Sequence, residues 1–276
     1  MNERRGFTLT DLLIVVGVFA LLIALLAPAV NEARESARRS ASRGHLKQWA
    51  LTLYNYEDVY RRLPPGGWVA GDDEQHGWVT LTLPYLESSP LYSSFDFGKP
   101  WHHPRNQPIC RVVIETARYP HSNTLRTAEG YGLMHYAANA NLMHRNSSTR
   151  FDEITAGLGN TLMVGEIAGD FRPWACAWNW RPIGPRLNSG PAAYGHDGRN
   201  VTDFVLADGQ LKSINNDIDP DVLMQLASGG LSPRSEDLAI PPIPAAYPAT
   251  KVQHPYVAPR KDEEWIPPSD TDQNDQ

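Results

Sequence analysis

The most hydrophobic part of the chain lies near its N-terminus, between residues 12 and 30, where no charged side chain occurs. At about 1.5 Å per residue, a helix of this length crosses a hydrocarbon layer of about 30 Å. Arg4 and Arg5 precede the segment, and Asp11 stands directly before it. The pattern predicts a membrane-spanning helix with one acidic residue at its edge.

Two other interpretations fit an apolar N-terminal segment. A cleavable secretory signal would use Arg4 and Arg5 as its basic region and Ala27-Pro28-Ala29 as its cleavage site. The segment is longer than the about 7–15 apolar residues of such signals, which favours the membrane helix. A buried helix of a soluble protein is disfavoured, because the sequence offers no comparably apolar helix to cover it.

The helical periodicity continues beyond Pro28. Apolar or aromatic residues recur every three to five positions up to Tyr60, with charged residues between them. This pattern predicts one helix from about Thr8 to Arg62, spanning the membrane over residues 7–30 and amphipathic over residues 31–62. The sequence Leu63-Pro64-Pro65-Gly66-Gly67 ends it, because proline cannot continue a helix.

Residues 63–230 contain short segments rich in β-branched and aromatic residues, separated by turn-forming residues. They predict an α+β domain with an antiparallel sheet. The expected strands cover residues 77–86, 110–119, 160–167, 174–180 and 200–214. Asp208-Gly209 predicts a two-residue hairpin turn, and Asp219-Pro220 predicts a helix start before Gly229-Gly230. The proline-rich, acidic residues 231–276 are predicted to be disordered.

Composition limits the classes of partner and chemistry. The formal net charge is -6 and no long basic block follows the first residues, so nucleic acid is not expected as a partner. Cys110 and Cys176 are either two free thiols or one disulfide, and their spacing does not indicate a zinc site. The sequence indicates no cofactor.

The N-terminal sequence "RRGFTLTD" resembles the leader junction of type IV prepilins and type II secretion pseudopilins. The resemblance implies that a prepilin peptidase cleaves between Gly6 and Phe7, that Phe7 is then N-methylated, and that residues 1–6 are the leader. It also assigns Asp11 to the position where the family usually has Glu. There the carboxylate pairs with the Phe7 amine of the same or an adjacent subunit; alternatively, Asp11 lies at the membrane interface and snorkels to water.

A second resemblance covers most of residues 1–230. Five segments occur in the order found in the prepilin-type processing-associated proteins named for a His-x9-Asp-Gly motif, whose C-terminal domain has no known function. They are residues 28–67, 77–87, 154–166, 173–182 and 195–209. The motif residues are His196, Asp208 and Gly209, with eleven intervening residues instead of nine. The resemblance gives these residues no role.

Several other groups suggest chemistry but are better explained as structure. His196 and Asp208 could form a catalytic dyad, but no nucleophile motif accompanies them. Asp217, Asp219 and Asp221 alternate as in a calcium loop, yet lack its glycine and distal glutamate. Scattered histidines and a run of tryptophans could bind a metal or sugars, although loop positions and core packing are more usual. The residues concerned are His102, His103, His121, His135, His144, Trp174, Trp178 and Trp180.

The sequence therefore predicts a pilin-like structural subunit rather than an enzyme. It would cross the inner membrane once, with the N-terminus cytoplasmic and the C-terminal domain extracytoplasmic, and would be methylated after leader cleavage. Its partners would be prepilin peptidase, the lipid bilayer, and copies of itself or other subunits in a pseudopilus or pilus-like filament. The alternative is an extracytoplasmic binding or enzymatic domain that uses the leader only for anchoring.

Overall fold

The first element is a long helix, α1, that runs from Leu9 to Tyr60 with Pro28 inside it. The computed structural model describes residues 9–70, 73–86, 89–120, 122–196 and 198–231. Because α1 runs from Leu9 to Tyr60, it confirms the prediction of one helix from about Thr8 to Arg62. The chain divides into two units, residues 1–42 and 43–276. The second unit therefore begins within α1 rather than after it.

The second unit is α+β, with short elements throughout. The strands are β1 (Gly67–Ala70), β2 (Asp73–Gly77), β3 (Leu133–Met134), β4 (Tyr136–Asn139), β5 (Leu162–Glu166), β6 (Arg172–Pro173), β7 (Trp180–Arg181), β8 (Val201–Leu206) and β9 (Leu211–Asn215). The helices after α1 are α2 (Trp78–Thr82), α3 (Ser89–Ser94), α4 (Gln107–Cys110) and α5 (Pro220–Ser228). Single 3-10 turns cover Leu83–Tyr85, Glu115–Ala117, Phe151–Glu153 and Leu158–Asn160.

The main sheet has five strands in the order β7-β4-β5-β8-β9. Its pairings are antiparallel except for β4 with β7, which is parallel. The strands β1 and β2 pair separately, as do β3 and β6. The α+β class with a long N-terminal helix is as predicted, and the sheet is mixed rather than purely antiparallel.

Side chains from opposite faces of the main sheet enter two hydrophobic clusters. Val205 packs in the cluster that contains Leu46 and Trp49 of α1. Its neighbour Phe204 packs in the cluster that contains Leu223 of α5. Because successive strand residues point to opposite faces, α1 and α5 cover opposite sides of β8.

Three of the predicted strands are wrong over most of their length. Residues 77–86 form α2 and a 3-10 turn, residues 110–119 form the end of α4 and another turn, and residues 174–179 form turns. All five residues of α2 are buried, so their β-branched and aromatic character reflects burial rather than a strand. The Asn179 side chain holds the third segment, since its amide donates to the carbonyls of Pro173, Trp174 and Cys176.

The strands predicted within residues 160–167 and 200–214 are confirmed as β5 and the β8–β9 hairpin. The connection between β8 and β9 covers residues 207–210 and is thus longer than the predicted two residues, and the Leu206 amide donates to the Gln210 carbonyl across it at 2.8 Å. Gly209 closes it with φ +80°. The α5 prediction is confirmed: Asp219 accepts from the Asp221 and Val222 amides, and Gly229 follows with φ +61°. Residues 232–276 lie outside the described residues.

The glycines that follow α1 are required by close packing. A Cβ on Gly67 would overlap the carbonyl oxygen of Ala177 and its carbon, which are backbone atoms that cannot rotate away. Gly66 and Gly77 approach the backbone of Met143 and Cys176 in the same way. The start of β1 and the end of β2 therefore lie directly against the backbone of residues 175–177.

We expect Gly67→Ala to lower the free energy of unfolding by about 1–3 kcal/mol or more, because the added methyl group forces backbone apart. Gly184→Ala is the matched control, since a Cβ there meets no atom within 4 Å. Chemical unfolding of the full chain in detergent micelles, followed by tryptophan fluorescence, measures both. Equal stability of the two variants would contradict the close approach at Gly67.

Candidate functional site

The first candidate site is the apolar surface of the N-terminal half of α1. Every residue from position 12 to 30 whose side chain is described is exposed. Its most apolar 18-residue window has a mean hydropathy of 2.9 and no buried residue. Among the described residues, α1 is the one helix that is long enough and apolar enough to cross a membrane. Such a surface requires lipid or another chain to cover it, so this helix has the properties of a membrane anchor.

The leader prediction concerns residues outside this description. Gly6 and Phe7 lie outside the described residues, as does the side chain of Asp11. Cleavage, methylation and the Asp11 charge pair therefore stay predictions.

The second candidate site is a buried ionic cluster where β5 ends. The side chains of Glu166 and Asp203 are each 2% exposed. Arg199 bridges them: its Nη2 lies 2.6 Å from Glu166 Oε2 and its Nη1 lies 3.4 Å from Asp203 Oδ2. The Asp203 amide also donates to Glu166 at 3.3 Å. Charges taken from water are tolerated only when paired in this way.

The cluster extends toward α1 and toward His196. The Ser213 hydroxyl donates to Asp203 Oδ1, and Arg43 Nη1 lies 4.0 Å from the same oxygen. On the other side, the Arg199 guanidinium carbon lies 5.4 Å from the Tyr119 ring centre. The Tyr119 ring also packs against His196, with 4.2 Å between ring centres. The sequence pointed to His196 through its motif but not to Arg199 or Asp203, because Glu166, the carboxylate that Arg199 binds, lies 33 positions earlier in the chain.

The structure does not bring His196 and Asp208 together as a dyad. They flank opposite ends of β8, the strand that carries residues 201–206. The Gly195 amide donates to the Glu166 carbonyl, whereas the Ala207 amide donates to the Thr161 carbonyl. Thr161 and Glu166 are separated by the length of β5, about 16 Å for five extended residues. Asp208 instead accepts from the Gln210 amide at 2.9 Å within its own turn.

His135 is the most unusual titratable group near this cluster. It is 3% exposed, packs on Phe171 at 4.2 Å between ring centres, and its Nε2 lies 3.1 Å from the Ser122 hydroxyl. Burial lowers the pKa of His135 to about 4, so the ring is neutral at physiological pH. A neutral, weakly basic imidazole in this setting packs the core and is poorly suited to accept a proton from Ser122.

The remaining candidates include His121, which lies outside the described residues. Trp174 and Trp180 are fully buried in the core, and Asp219 caps α5. Among the residues that the structure describes, no group of three or more His, Cys, Asp or Glu side chains is placed to hold a metal ion.

The disulfide alternative for Cys110 and Cys176 is corrected: both are free and fully buried. Each thiol has its own acceptor, which is the Trp101 carbonyl at 3.3 Å for Cys110 and Glu74 Oε1 at 2.9 Å for Cys176. Burial raises the pKa of both thiols above the usual range, so they behave as core residues.

A groove of about 520 Å³ lies beside the second half of α1. Its walls mix apolar side chains with hydrogen-bonding groups, as binding pockets do. Leu51 on its edge is 61% exposed. The lining residues are Gly44, His45, Gln48, Leu51, Thr52, Tyr85, Leu86, Ile114, Glu115 and Thr116. The groove has no local signal in the sequence, because its walls come from three distant segments.

Together these features describe an α+β protein with a long N-terminal helix whose apolar half fits a membrane anchor. Residues 31–183 match the family model described as protein of unknown function (DUF1559), and the chain belongs to that family. The match begins after the apolar segment and ends before His196. Comparisons with curated proteins and with solved structures gave no match.

We expect Arg199→Met to lower the free energy of unfolding by about 3–5 kcal/mol, because two buried carboxylates lose their cation. Asp208→Asn in the same motif keeps the acceptor for Gln210 and should change stability by less than about 0.5 kcal/mol. Urea unfolding of the full chain in detergent measures both. A loss for Arg199→Met no larger than that of the control would show that the cluster is not part of the folded core.

Proposed function

We propose that this protein is a membrane-anchored, pilin-like structural subunit of the inner membrane. The observation that carries the proposal is the exposed apolar half of α1, which is free of charged residues from position 12 to 30. A helix of this surface is stable in lipid or in a bundle of similar helices. The same helix then continues into the α+β unit, as a spine carrying an extracytoplasmic domain would.

In this proposal, prepilin peptidase removes residues 1–6 and Phe7 becomes the methylated N-terminus. The subunit then assembles with copies of itself or with related subunits into a type II secretion pseudopilus or a type IV pilus-like filament. Head-to-tail packing of one surface on a different surface of the next subunit gives such open assemblies.

The polar groups around His196 support a structural rather than an enzymatic role. The Glu166 carboxylate binds Arg199, and Asp203 binds both Arg199 and Ser213. Both carboxylates therefore bind partners inside the protein. A catalytic site would need such groups directed toward a substrate.

Mass spectrometry of the N-terminus tests the leader. The purified protein should begin at N-methylated Phe7, and Gly6→Val should leave it uncut because the peptidase reads the residue before the cleavage site. The matched control is Gly17→Val, whose site in α1 has open space around a Cβ. This control should be processed normally. A mature protein that begins at Val30, or an uncut wild type, would overturn the pilin-like assignment.

The role of Asp11 is tested by assembly. A carboxylate at the centre of a membrane span costs about 2.5–3.5 kcal/mol on insertion scales, and an unpaired one nearer the edge is unfavourable to a smaller degree. We expect Asp11→Ala to be processed but to lose filament assembly, whereas Asp11→Glu should retain it. Sheared surface material, probed for the protein, measures assembly. Filaments from Asp11→Ala would exclude the charge pair, and absence of wild-type filaments would favour the anchored-domain alternative.

A further inference from the structure

One face of α1 carries three hydrogen-bond donors that reach the β8–β9 hairpin. Lys47 and Tyr54 follow Arg43 by four and eleven positions. At 3.6 residues per turn these positions lie within about 40° of one another around the helix. All three belong to the second unit of the chain.

The first donor contacts the strands themselves. Arg43 Nη1 donates to the Ser213 hydroxyl on β9 at 3.2 Å and lies 4.0 Å from Asp203 Oδ1 on β8. Asp203 is held by Arg199, so this contact joins the helix to the buried ionic cluster.

The other two donors contact the turn between the strands. Lys47 Nζ donates to the Gly209 carbonyl at 2.6 Å, and the Tyr54 hydroxyl donates to the Ala207 carbonyl. Asp208 shapes the turn by accepting from the Gln210 amide. Gly209 has φ +80°, and a Cβ there would lie 3.3 Å from the Tyr54 ring. Asp208 and Gly209 therefore form a turn that presents two backbone carbonyls to the helix at close range.

These hydrogen bonds constrain the orientation of α1, which its apolar face alone does not do. Leu46, Trp49 and Leu53 bury the helix against the core, but hydrophobic attraction is non-directional. Hydrogen bonds require specific distances and angles. A set of three such bonds, spread over three turns of the helix, fixes both its rotation and its axial position.

We propose that β8 and its Asp208-Gly209 turn, here called the docking latch, hold α1 at one rotation and one axial position on the sheet. This rotation and axial position are the register of α1. The latch gives the Asp-Gly half of the family motif a role. The role holds whether the protein forms filaments or only an anchored domain, since it concerns the second unit alone. Lys47 is exposed and Tyr54 is only partly buried, so the latch should determine geometry more than stability.

The register can be measured with two spin labels on the full-length protein in detergent. Leu51→Cys places one label on α1 and Val222→Cys places the other on α5; the native side chains are 61% and 46% exposed. Cys110 and Cys176 are fully buried and should stay unlabelled. Pulsed electron spin resonance should give one narrow distance between the two labels.

The latch variant combines Arg43→Met, Lys47→Met and Tyr54→Phe. It should lose the single narrow distance, giving a broad or shifted distribution, while the tryptophan fluorescence of the core remains native. The control combines Arg61→Met, Arg150→Met and Tyr92→Phe, which remove similar side chains away from the hairpin, and should keep the narrow distance. An unchanged distance in the latch variant would overturn the proposal.

A second comparison decides the matter if the latch variant does not fold. Gly209→Ala and Gly198→Ala place alanine at nearly the same backbone conformation, with φ +80° and +78°. Only the Gly209 methyl group would contact the helix, because Gly198 has open space. We expect Gly209→Ala alone to alter the distance between the labels. The same distance in both variants would exclude a latch at this turn.

Discussion

The second unit depends on the burial of one face of α1. Leu46, Trp49 and Leu53 are fully buried and share a core cluster with tryptophans from several distant segments. Trp49 packs edge-to-face on Trp78, with 4.9 Å between ring centres, and its indole donates to the Thr116 carbonyl. Buried aromatic rings contribute both large apolar area and directional contacts. The helix therefore forms the wall against which short, irregular segments can be ordered.

Those irregular segments are held by side chains that replace the missing backbone pairing. The Asn106 amide donates to the carbonyls of Asp96, Lys99 and Pro100, and Asn179 holds the turn before β7 in the same manner. The Arg181 guanidinium binds three further carbonyls, and burial lowers its pKa to about 10. Buried carbonyls must find donors, and here single side chains satisfy several at once. This allows a stable core with few long strands.

The sequence could predict elements that have local signals, but not segments that are held by side chains from elsewhere in the chain. The α1 helix, the β8–β9 hairpin and α5 have local signals: periodicity, alternation, and an Asp-Pro start with a Gly-Gly stop. The segment at residues 174–180 looked like a strand because tryptophan favours strands, but its conformation depends on Asn179 binding backbone carbonyls. The sequence did not predict the ionic cluster either, since Arg199 binds Glu166 from 33 positions away in the chain. Local patterns cannot show contacts that only folding creates.

The eleven-residue spacing of the His196 motif is compatible with the same strand geometry. Side chains on a strand alternate between faces, so an insertion of one residue within the strand would move the side chains beyond it to the other face. An insertion of two keeps the alternation wherever in the segment it occurs. Asp203 and Val205 can then still face α1, while Thr202 and Phe204 face the opposite side. Before β8, Gly195 at φ +158° and Gly198 at φ +78° adopt backbone conformations that favour glycine. In this chain the two ends of the motif make separate contacts, so the longer spacing between His196 and Asp208 is compatible with the strand that packs on the helix.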